Sequence, residues 1–239
     1  MSLGVATVSR EPQPAPAVAG RAAELQRSAR RLAGRNRLAV AALVVLVAVV
    51  VAAVLAPRLP LHDPDAVETT NRLKPPLSPG HLLGTDEFGR DLLARLVWGA
   101  RVSLLAGAAS AAAAMVIGVA LGLLSGFYTG WAEVLIMRAT DILMAFPYIL
   151  LAIAIVAGLG PGLRNAMIAI AIVGLPLYIR LVRGVVLSLR EREFVEAARA
   201  LGATDALILG RHVLPHLVSP VIVAFSLDVG TKILATAGL

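Results

Sequence analysis

The sequence contains no cysteine, few aromatic residues and few charges. Of its 239 residues, none is Cys, 4% are aromatic and 15% are charged. The absence of cysteine excludes a disulfide framework, a thiol nucleophile and a cysteine-based metal site. The scarcity of charge, beside 58% hydrophobic residues and a mean hydropathy of +0.83, excludes an ordinary soluble domain. The chain is therefore predicted to be a membrane protein.

Motifs for catalysis and nucleotide binding are also missing. The only lysines, Lys74 and Lys232, do not lie in a Gly-Lys-Ser/Thr phosphate-binding loop, and neither H-E-x-x-H nor G-x-S-x-G occurs. His212 and His216 are four residues apart, but Pro215 intervenes and no carboxylate accompanies them, so we predict no metal site. These absences indicate a chain that is not an enzyme, has no catalytic residue and itself binds no cofactor.

The formal charge of +7 is distributed between the apolar runs, without the basic face and stacking aromatics of a nucleic-acid-binding protein. We therefore expect a lipid bilayer, and no nucleic acid, as its partner. Residues 1–37 contain seven arginines and two glutamates, which predicts a cytoplasmic basic N-terminal segment. Residues 38–56 are apolar over a spanning length, and we interpret them as a retained first transmembrane helix and not as a cleaved signal.

Residues 57–101 are predicted to be an external loop that ends in an amphipathic elbow helix. Six basic and six acidic residues cancel in this stretch, whereas the N-terminal segment is basic, which favours the outside. Asp86 with Arg90, and Asp91 with Arg95, are spaced i,i+4 with the acid first, the favourable order on a helix. We therefore expect both pairs to lie on a helix that follows the membrane interface.

Residues 102–239 are predicted to form the transmembrane core, with spans near 102–124, 132–157 and 164–189 and a fourth that begins at Pro220. Pro147 is expected to kink the second of these spans. Small residues at every fourth position of the first give a flat face that another helix can approach closely. They are Ser110, Ala114, Gly118, Gly122 and Gly126. Four arginines near the end of the third span, at 180, 183, 190 and 192, place that end in the cytoplasm.

Two spacings predict ion pairs inside the membrane. Arg138 and Asp141 are one helical turn apart, and Asp228 and Lys232 are spaced i,i+4. Charges at this depth are costly unless they are paired, so a structural role is favoured for both pairs. The alternative is that these four residues line a transport pathway, where they would contact substrate or carry ions.

Residues 190–215 interrupt the apolar runs with a charged helix-turn-helix. Gly202 is expected to end the first helix, Thr204 or Asp205 to cap the second, and Pro215 to end that second helix. One apolar stripe is predicted on the first helix, and it consists of Phe194, Ala197, Ala198 and Leu201. We expect the segment to lie on the cytoplasmic membrane surface.

Within this segment the sequence resembles the EAA loop of permease subunits in ATP-binding-cassette importers. The matching residues are Glu196, Ala197, Ala198, Gly202, Leu214 and Pro215, with His212 where that family has isoleucine. Residues 81–103 resemble the signature of the dipeptide, oligopeptide and nickel branch of these permeases. Its matching positions are Gly84, Thr85, Asp86, Gly89, Arg90, Asp91, Arg95, Gly99, Arg101 and Ser103.

The resemblance implies an all-α, polytopic transmembrane helical bundle like that of type I importer permeases, with the EAA loop as a cytoplasmic coupling element. It implies a bacterial plasma (inner) membrane location. The implied partners are a homologous permease, cytoplasmic P-loop ATPase subunits that hold ATP and Mg²⁺, and an extracytoplasmic substrate-binding protein.

Di- or oligopeptides are the implied substrates, with nickel and glutathione as alternatives. Family members continue into a sixth helix, so the last helix is expected to be absent here. An ion-gradient-driven secondary transporter or channel, in which the intramembrane charges would form the ion path, is the alternative function.

Overall fold

The structure is a computed structural model that describes residues 37–238. This part of the chain is mainly helical and contains no β-strand. Its eight α-helices are α1 (Arg37–Leu55), α2 (Leu92–Phe127), α3 (Trp131–Met144), α4 (Tyr148–Leu159), α5 (Leu163–Arg190), α6 (Glu193–Ala200), α7 (Asp205–Leu207) and α8 (Leu214–Ala237). A π-helical segment, Ile208–Val213, connects α7 to α8. The predicted all-α class is confirmed.

Four helical stretches of the described residues are long and apolar enough to cross a membrane. They are Arg37–Arg58, Leu92–Phe127, Leu163–Arg190 and Asp205–Ala237. Helices α3 and α4 meet the same test only when taken together, and they are bent by 99° relative to each other. The chain is therefore a multi-pass membrane protein, as its composition predicts.

Packing divides the chain into two units, Met1–Val51 and Ala52–Leu239. The described part of the first unit is most of α1, an apolar helix that coincides closely with the predicted span 38–56. Apart from Arg37, the predicted basic N-terminal segment lies outside the described residues. The second unit contains α2 to α8, which form the helical bundle.

The small-residue face of α2 packs against α5. A Cβ atom added to Gly118 would lie 2.5 Å from the Cβ of Tyr178, and one added to Gly122 would lie 2.7 Å from the Cβ of Val182. Real Cβ atoms do not approach so closely, so only glycine fits at these turns of α2. The predicted close-packing face is confirmed, and the helix that it receives belongs to the same chain.

The predicted third span, 132–157, is not one kinked helix. Pro147 has an extended backbone (φ −57°, ψ 132°) and separates α3 from α4. Proline lacks the amide that would continue the hydrogen-bond ladder, and it disfavours helical geometry in the residue before it. The sequence identified the position of the break correctly, but the 99° bend is far larger than a kink.

The predicted elbow helix begins later than expected. Gly84 and Gly89 have φ values of +80° and +76°, and Cβ atoms there would lie 2.3 Å from the Lys74 carbonyl oxygen and 1.8 Å from that of Glu68. These two glycines fold residues 84–91 back against the preceding loop, so this stretch cannot be helical. The helix begins at Leu92 and continues without a break to Phe127, so the predicted boundary between residues 101 and 102 falls inside α2.

Candidate functional site

The charged segment between α5 and α8 begins with α6, which ends at a glycine as the sequence predicts. Gly202 has a φ of +82°. The amides of Gly202 and Ala203 donate hydrogen bonds of 2.9 and 3.0 Å to carbonyls in the last turn of α6. These bonds form the Schellman arrangement that satisfies the end of a helix. Thr204 then caps α7, because its hydroxyl oxygen accepts a 3.4 Å hydrogen bond from the Leu207 amide.

The buried face of α6 differs from the predicted apolar stripe. Val195 is fully buried and Ala198 is 8% exposed, and both pack with Val182 and Val186 of α5 in one apolar cluster. The other predicted members of the stripe are uncovered, and Leu201 is 89% exposed. The predicted stripe includes Ala197 but not Val195, whereas the buried face consists of Val195 and Ala198, because these two side chains fit the cluster beneath α6. The structure thus gives α6 an anchored inner face and a partly apolar outer face that includes Ala197 and Glu196.

The sequence predicts that Pro215 ends the second helix of the segment, and this prediction is wrong. It lies in the first turn of α8, directly after a π-helical segment, and not at a helix end. The π-helical segment Ile208–Val213 leads directly into α8, and residues from Asp205 to Ala237 form one apolar stretch of spanning length. The last span therefore begins before Pro220, which is inside α8. Leu214 precedes Pro215 in that first turn and is 41% exposed.

The predicted pair of Asp228 and Lys232 is present and buried. Their carboxylate Oδ2 and Nζ atoms are 3.6 Å apart, and the two side chains are 8% and 0% exposed. Tyr178 of α5 donates a 2.9 Å hydrogen bond to Asp228, and Lys232 donates a 2.9 Å bond to the carbonyl of Ile170. Gly174 leaves room for the ammonium group, because a Cβ there would lie 2.1 Å from Nζ. This network joins α5 to α8.

The predicted pair of Arg138 and Asp141 does not form. Asp141 of α3 instead accepts a 2.7 Å hydrogen bond from Arg180 of α5, and Glu133 pairs with Arg183 in the same way. Both guanidinium groups, those of Arg180 and Arg183, belong to α5, which packs beside α3. The partner of Asp141 is therefore 39 residues away and not on its own helix. Arg138 lines a groove of about 450 Å³ beside these pairs, and it makes no ion pair with the described residues. The side chains of Asp141 and Arg180 are about half exposed.

The signature residues of the loop form a compact turn ahead of α2. Asp86 accepts hydrogen bonds from the Phe88 and Arg90 amides, from the Arg90 side chain at 2.8 Å and from the Arg95 side chain at 2.9 Å. Desolvation alone would raise the pKa of Asp86, but the two amides and the Arg90 guanidinium outweigh it and lower the pKa to about 2. The predicted pair of Asp86 with Arg90 is present, although in a turn and not on a helix.

Two further signature residues fasten this turn to its surroundings. The Thr85 hydroxyl oxygen accepts a 2.9 Å hydrogen bond from the Lys74 amide, and it donates a bond to the carbonyl of Asn71. Arg101 of α2 donates a 3.4 Å hydrogen bond to the carbonyl of Val54. The Thr85 bonds hold the turn against the preceding loop, and the Arg101 bond connects α2 to Val54.

Asp91 has a different partner from the one predicted. It caps α2 by accepting a 2.8 Å hydrogen bond from the Ala94 amide, and its second oxygen lies 2.9 Å from His81 Nδ1. Arg95 points to Asp86 instead, because Asp91 precedes the helix and faces the loop. Desolvation opposes the shift, but the Ala94 amide, the His81 hydrogen bond and the charges of both His62 and His81 lower the pKa of Asp91.

Sequence reasoning missed the convergence of His62, His81 and Asp91, whose ligating atoms all lie within 4.8 Å of one another. The three residues are 19 and 10 positions apart, which is not a metal-site spacing that a motif search recognises. The HLLGTDEFGRD stretch contains two of the three, but only the fold brings His62 to them. His212 and His216, the histidines considered from spacing, instead lie beside the ring of Phe194, at 6.5 and 5.8 Å.

Comparisons with known proteins agree on one family. The family model "Binding-protein-dependent transport system inner membrane component" matches residues 118–239. A second model, "N-terminal TM domain of oligopeptide transport permease C", matches residues 25–76. The first match covers the end of α2 and all of α3 to α8, including the charged segment.

Three curated relatives illustrate the similarity. The dipeptide transport system permease protein DppC of Alkalihalophilus pseudofirmus is 47% identical over 205 residues, which are 86% of this chain and 67% of that protein. The glutathione transport system permease protein GsiD of Pectobacterium atrosepticum is 44% identical over 86% of this chain and 68% of its own length. The probable D,D-dipeptide transport system permease protein DdpC of Escherichia coli is 44% identical over 84% of this chain and 67% of its own length.

Proposed function

The chain belongs to the family of inner membrane components of binding-protein-dependent transport systems, and from this premise we propose that it is the permease subunit of an ATP-driven peptide importer. The relatives are named for transport of a dipeptide, a D,D-dipeptide or glutathione, and each of these is a short peptide or peptide derivative. A di- or oligopeptide is therefore the substrate that the similarity favours. The chain supplies part of the membrane pathway and carries out no chemistry itself.

The remaining components follow from the same proposal. A homologous permease completes the pathway, and an extracytoplasmic binding protein delivers the substrate. Cytoplasmic P-loop ATPase subunits hold ATP and Mg²⁺. The N-terminus and the segment between α5 and α8 are cytoplasmic, because the arginines of residues 1–37 and those at the end of α5 each favour that side.

The observation that supports coupling through the EAA loop is the two-sided character of α6. Its inner face is fixed by Val195 and Ala198, while Leu201, which is 89% exposed, lies on the uncovered side. Exposed apolar side chains beside polar ones are typical of a protein–protein contact. We assign this outer face, with Ala197 as the close-packing position and Glu196 as the polar contact, to the cleft of an ATPase subunit.

The packing beneath α6 gives such a contact a route into the membrane. Val195 lies in the same apolar cluster as Val182 of α5 and Leu217 of α8. A displacement of α6 on ATP-driven closure therefore pushes directly on two spanning helices. The buried network of Tyr178, Asp228 and Lys232 joins those helices further along their length. In this proposal the network is structural, since the chain's own helices cover it, and the pair makes α5 and α8 tilt together during alternating access.

Affinity purification from the native membrane in mild detergent, followed by an ATPase assay, tests the proposal. We expect a second permease and P-loop ATPases to accompany the chain, with hydrolysis stimulated by a peptide-loaded binding protein. Recovery of the chain alone or as a homo-oligomer, without ATPase activity, would favour the gradient-driven alternative.

The coupling face has its own test in the same preparation. Leu201→Asp should reduce ATPase recovery at least about tenfold without lowering thermal stability, because the side chain is 89% exposed. Leu77→Asp is the matched control, since Leu77 is 82% exposed in the loop before α2. Equal ATPase recovery with the two variants would exclude α6 as the docking helix while leaving the importer assignment intact.

A further inference from the structure

Three potential metal ligands meet where the loop joins α2. His81 Nδ1 is 2.9 Å and His62 Nδ1 is 3.9 Å from the same oxygen, Oδ2 of Asp91. We propose that His62, His81 and Asp91 bind one transition-metal dication of the zinc or nickel type. This site is separate from the coupling segment and the buried ion pair, and its presence does not depend on the proposed function.

Two of the three ligands are already held in place. Asp91 is 5% exposed, and its other oxygen, Oδ1, is engaged by the Ala94 amide at the start of α2. Oδ2 is therefore turned toward the imidazoles, as second-shell hydrogen bonds orient ligating carboxylates in metal sites. His81 is 7% exposed, and its own amide donates a 2.9 Å hydrogen bond to the carbonyl of Ser78. The backbone on both sides of this pair is thus fixed before any ion arrives.

The third ligand is available and close. The His62 side chain is 57% exposed and makes no hydrogen bond with the described residues, since 3.9 Å to Asp91 is too long for one. Its ring centroid lies 5.3 Å from that of His81. Ligands of a tetrahedral ion with bonds of about 2.1 Å lie roughly 3.4 Å apart, so the site is completed when the His81–Asp91 pair opens by roughly 0.5 Å and the exposed His62 ring moves by roughly 1 Å. A hydrogen bond between His81 and Asp91 alone would give no reason for a second imidazole at the same oxygen.

The ligand types define the class of ion. Two neutral imidazoles with one carboxylate suit Zn²⁺, Ni²⁺, Co²⁺ or Cu²⁺, whereas Ca²⁺ and Mg²⁺ prefer sites made of oxygen ligands. Three protein ligands leave a coordination position for water or for a group from a partner. An ion here would connect residue 62, the turn at residue 81 and the first residue before α2. Its binding would therefore stabilise the loop on the bundle.

Metal binding by the full chain, purified with its accompanying subunits through a tag without histidine, tests the site. The preparation is stripped with a chelator and dialysed against Zn²⁺ or Ni²⁺, and the bound metal is measured by elemental analysis. We expect about one ion per chain and a rise in the melting temperature. His62→Gln should weaken binding at least about tenfold and abolish the rise, and because His62 is exposed this change leaves the loop intact.

Further variants separate this site from other histidines. His81→Asn should also weaken binding, as should Asp91→Asn, which retains a side-chain oxygen for the cap of α2. His216→Gln is the control, because His216 is exposed on α8 and remote from the loop in sequence. The proposal is overturned if wild type retains no ion, or if His62→Gln binds as tightly as wild type. Loss of binding in His216→Gln alone would also overturn it, by placing the ion at the other histidine pair.

Discussion

The α2–α5 interface and the outer face of α6 both present side chains at helical spacing, but only the first is covered by the chain itself. At the interface, a single added carbon on Gly118 would lie 2.5 Å from Tyr178. On the outer face of α6, Leu201 remains 89% exposed. Close helical packing and an uncovered apolar face therefore occur within one bundle. The first fixes the spanning helices, and the second is the face that we propose binds an ATPase subunit.

Polar groups follow the same division. In the interior, Lys232 is fully buried and has two partners, whereas Asp141 and Arg180 at the edge are about half exposed. Substitutions in the interior should therefore affect stability, and substitutions on the outer face of α6 should affect assembly.

Removing the buried lysine should have the largest effect. Lys232→Met leaves the Asp228 carboxylate buried with only the Tyr178 hydroxyl, and breaking a buried pair in this way costs about 3–5 kcal/mol. The double variant Lys232→Met with Asp228→Asn should recover much of that loss, because no unpaired charge remains. Thermal unfolding in detergent measures both.

Arg180→Met is the control for that prediction, since its ion pair with Asp141 is about half exposed and such pairs contribute little. A loss of stability in Arg180→Met as large as that in Lys232→Met would contradict the division between interior and edge.

A single methyl group on the α2 face should have the next largest effect. Gly118→Ala places a Cβ 2.5 Å from the Cβ of Tyr178, a backbone-fixed atom, so the helices must separate at a cost of about 1–3 kcal/mol. Gly184→Ala on α5 is the matched control, because no atom lies within 4 Å of its added Cβ. Melting temperatures compare the two, and equal values would mean that the interface can adjust.

Substitutions of two adjacent alanines on α6 should have different effects, one on stability and the other on coupling alone. Ala198 is 8% exposed in the apolar cluster, so Ala198→Trp should lower the stability of the folded chain by about 1–3 kcal/mol and also impair transport. Ala197 is exposed, so Ala197→Trp should abolish binding-protein-stimulated ATPase activity and leave the melting temperature unchanged. Normal ATPase activity of Ala197→Trp in proteoliposomes would contradict the proposal that the outer face of α6 contacts the ATPase subunit.

Periodicity and composition predicted the helical class, the close-packing face of α2, the position of the irregularity at Pro147 and the glycine that ends α6. These features depend on local geometry or on one residue type, and the sequence displays both directly. The charge partners were harder to predict. Asp141 pairs with Arg180 and Asp91 with His81, because the bend between α3 and α4 and the turn at Gly84 bring distant residues together. A rule that pairs residues three or four positions apart on one helix cannot predict such contacts.

Acid pH should produce the smallest effect, and it should act on the loop ahead of α2 before the bundle. The pKa of Asp86 is lowered to about 2, and that of Asp91 is also lowered, whereas an unfolded aspartate titrates near 3.9. A carboxyl whose folded pKa is depressed contributes stability that is present above pH 3.9 or so and is lost as the pH falls toward about 2. The chain has no cysteine, so a fluorophore on Glu87→Cys, an exposed position between the two aspartates, reports on this loop alone. Its signal should change between about pH 4 and pH 2 while the helical circular dichroism persists, and adding Asp86→Asn should shift the change or remove it. A label signal that changes only when the helices melt would contradict this prediction, because it would show that the loop and the tightly packed helices unfold together.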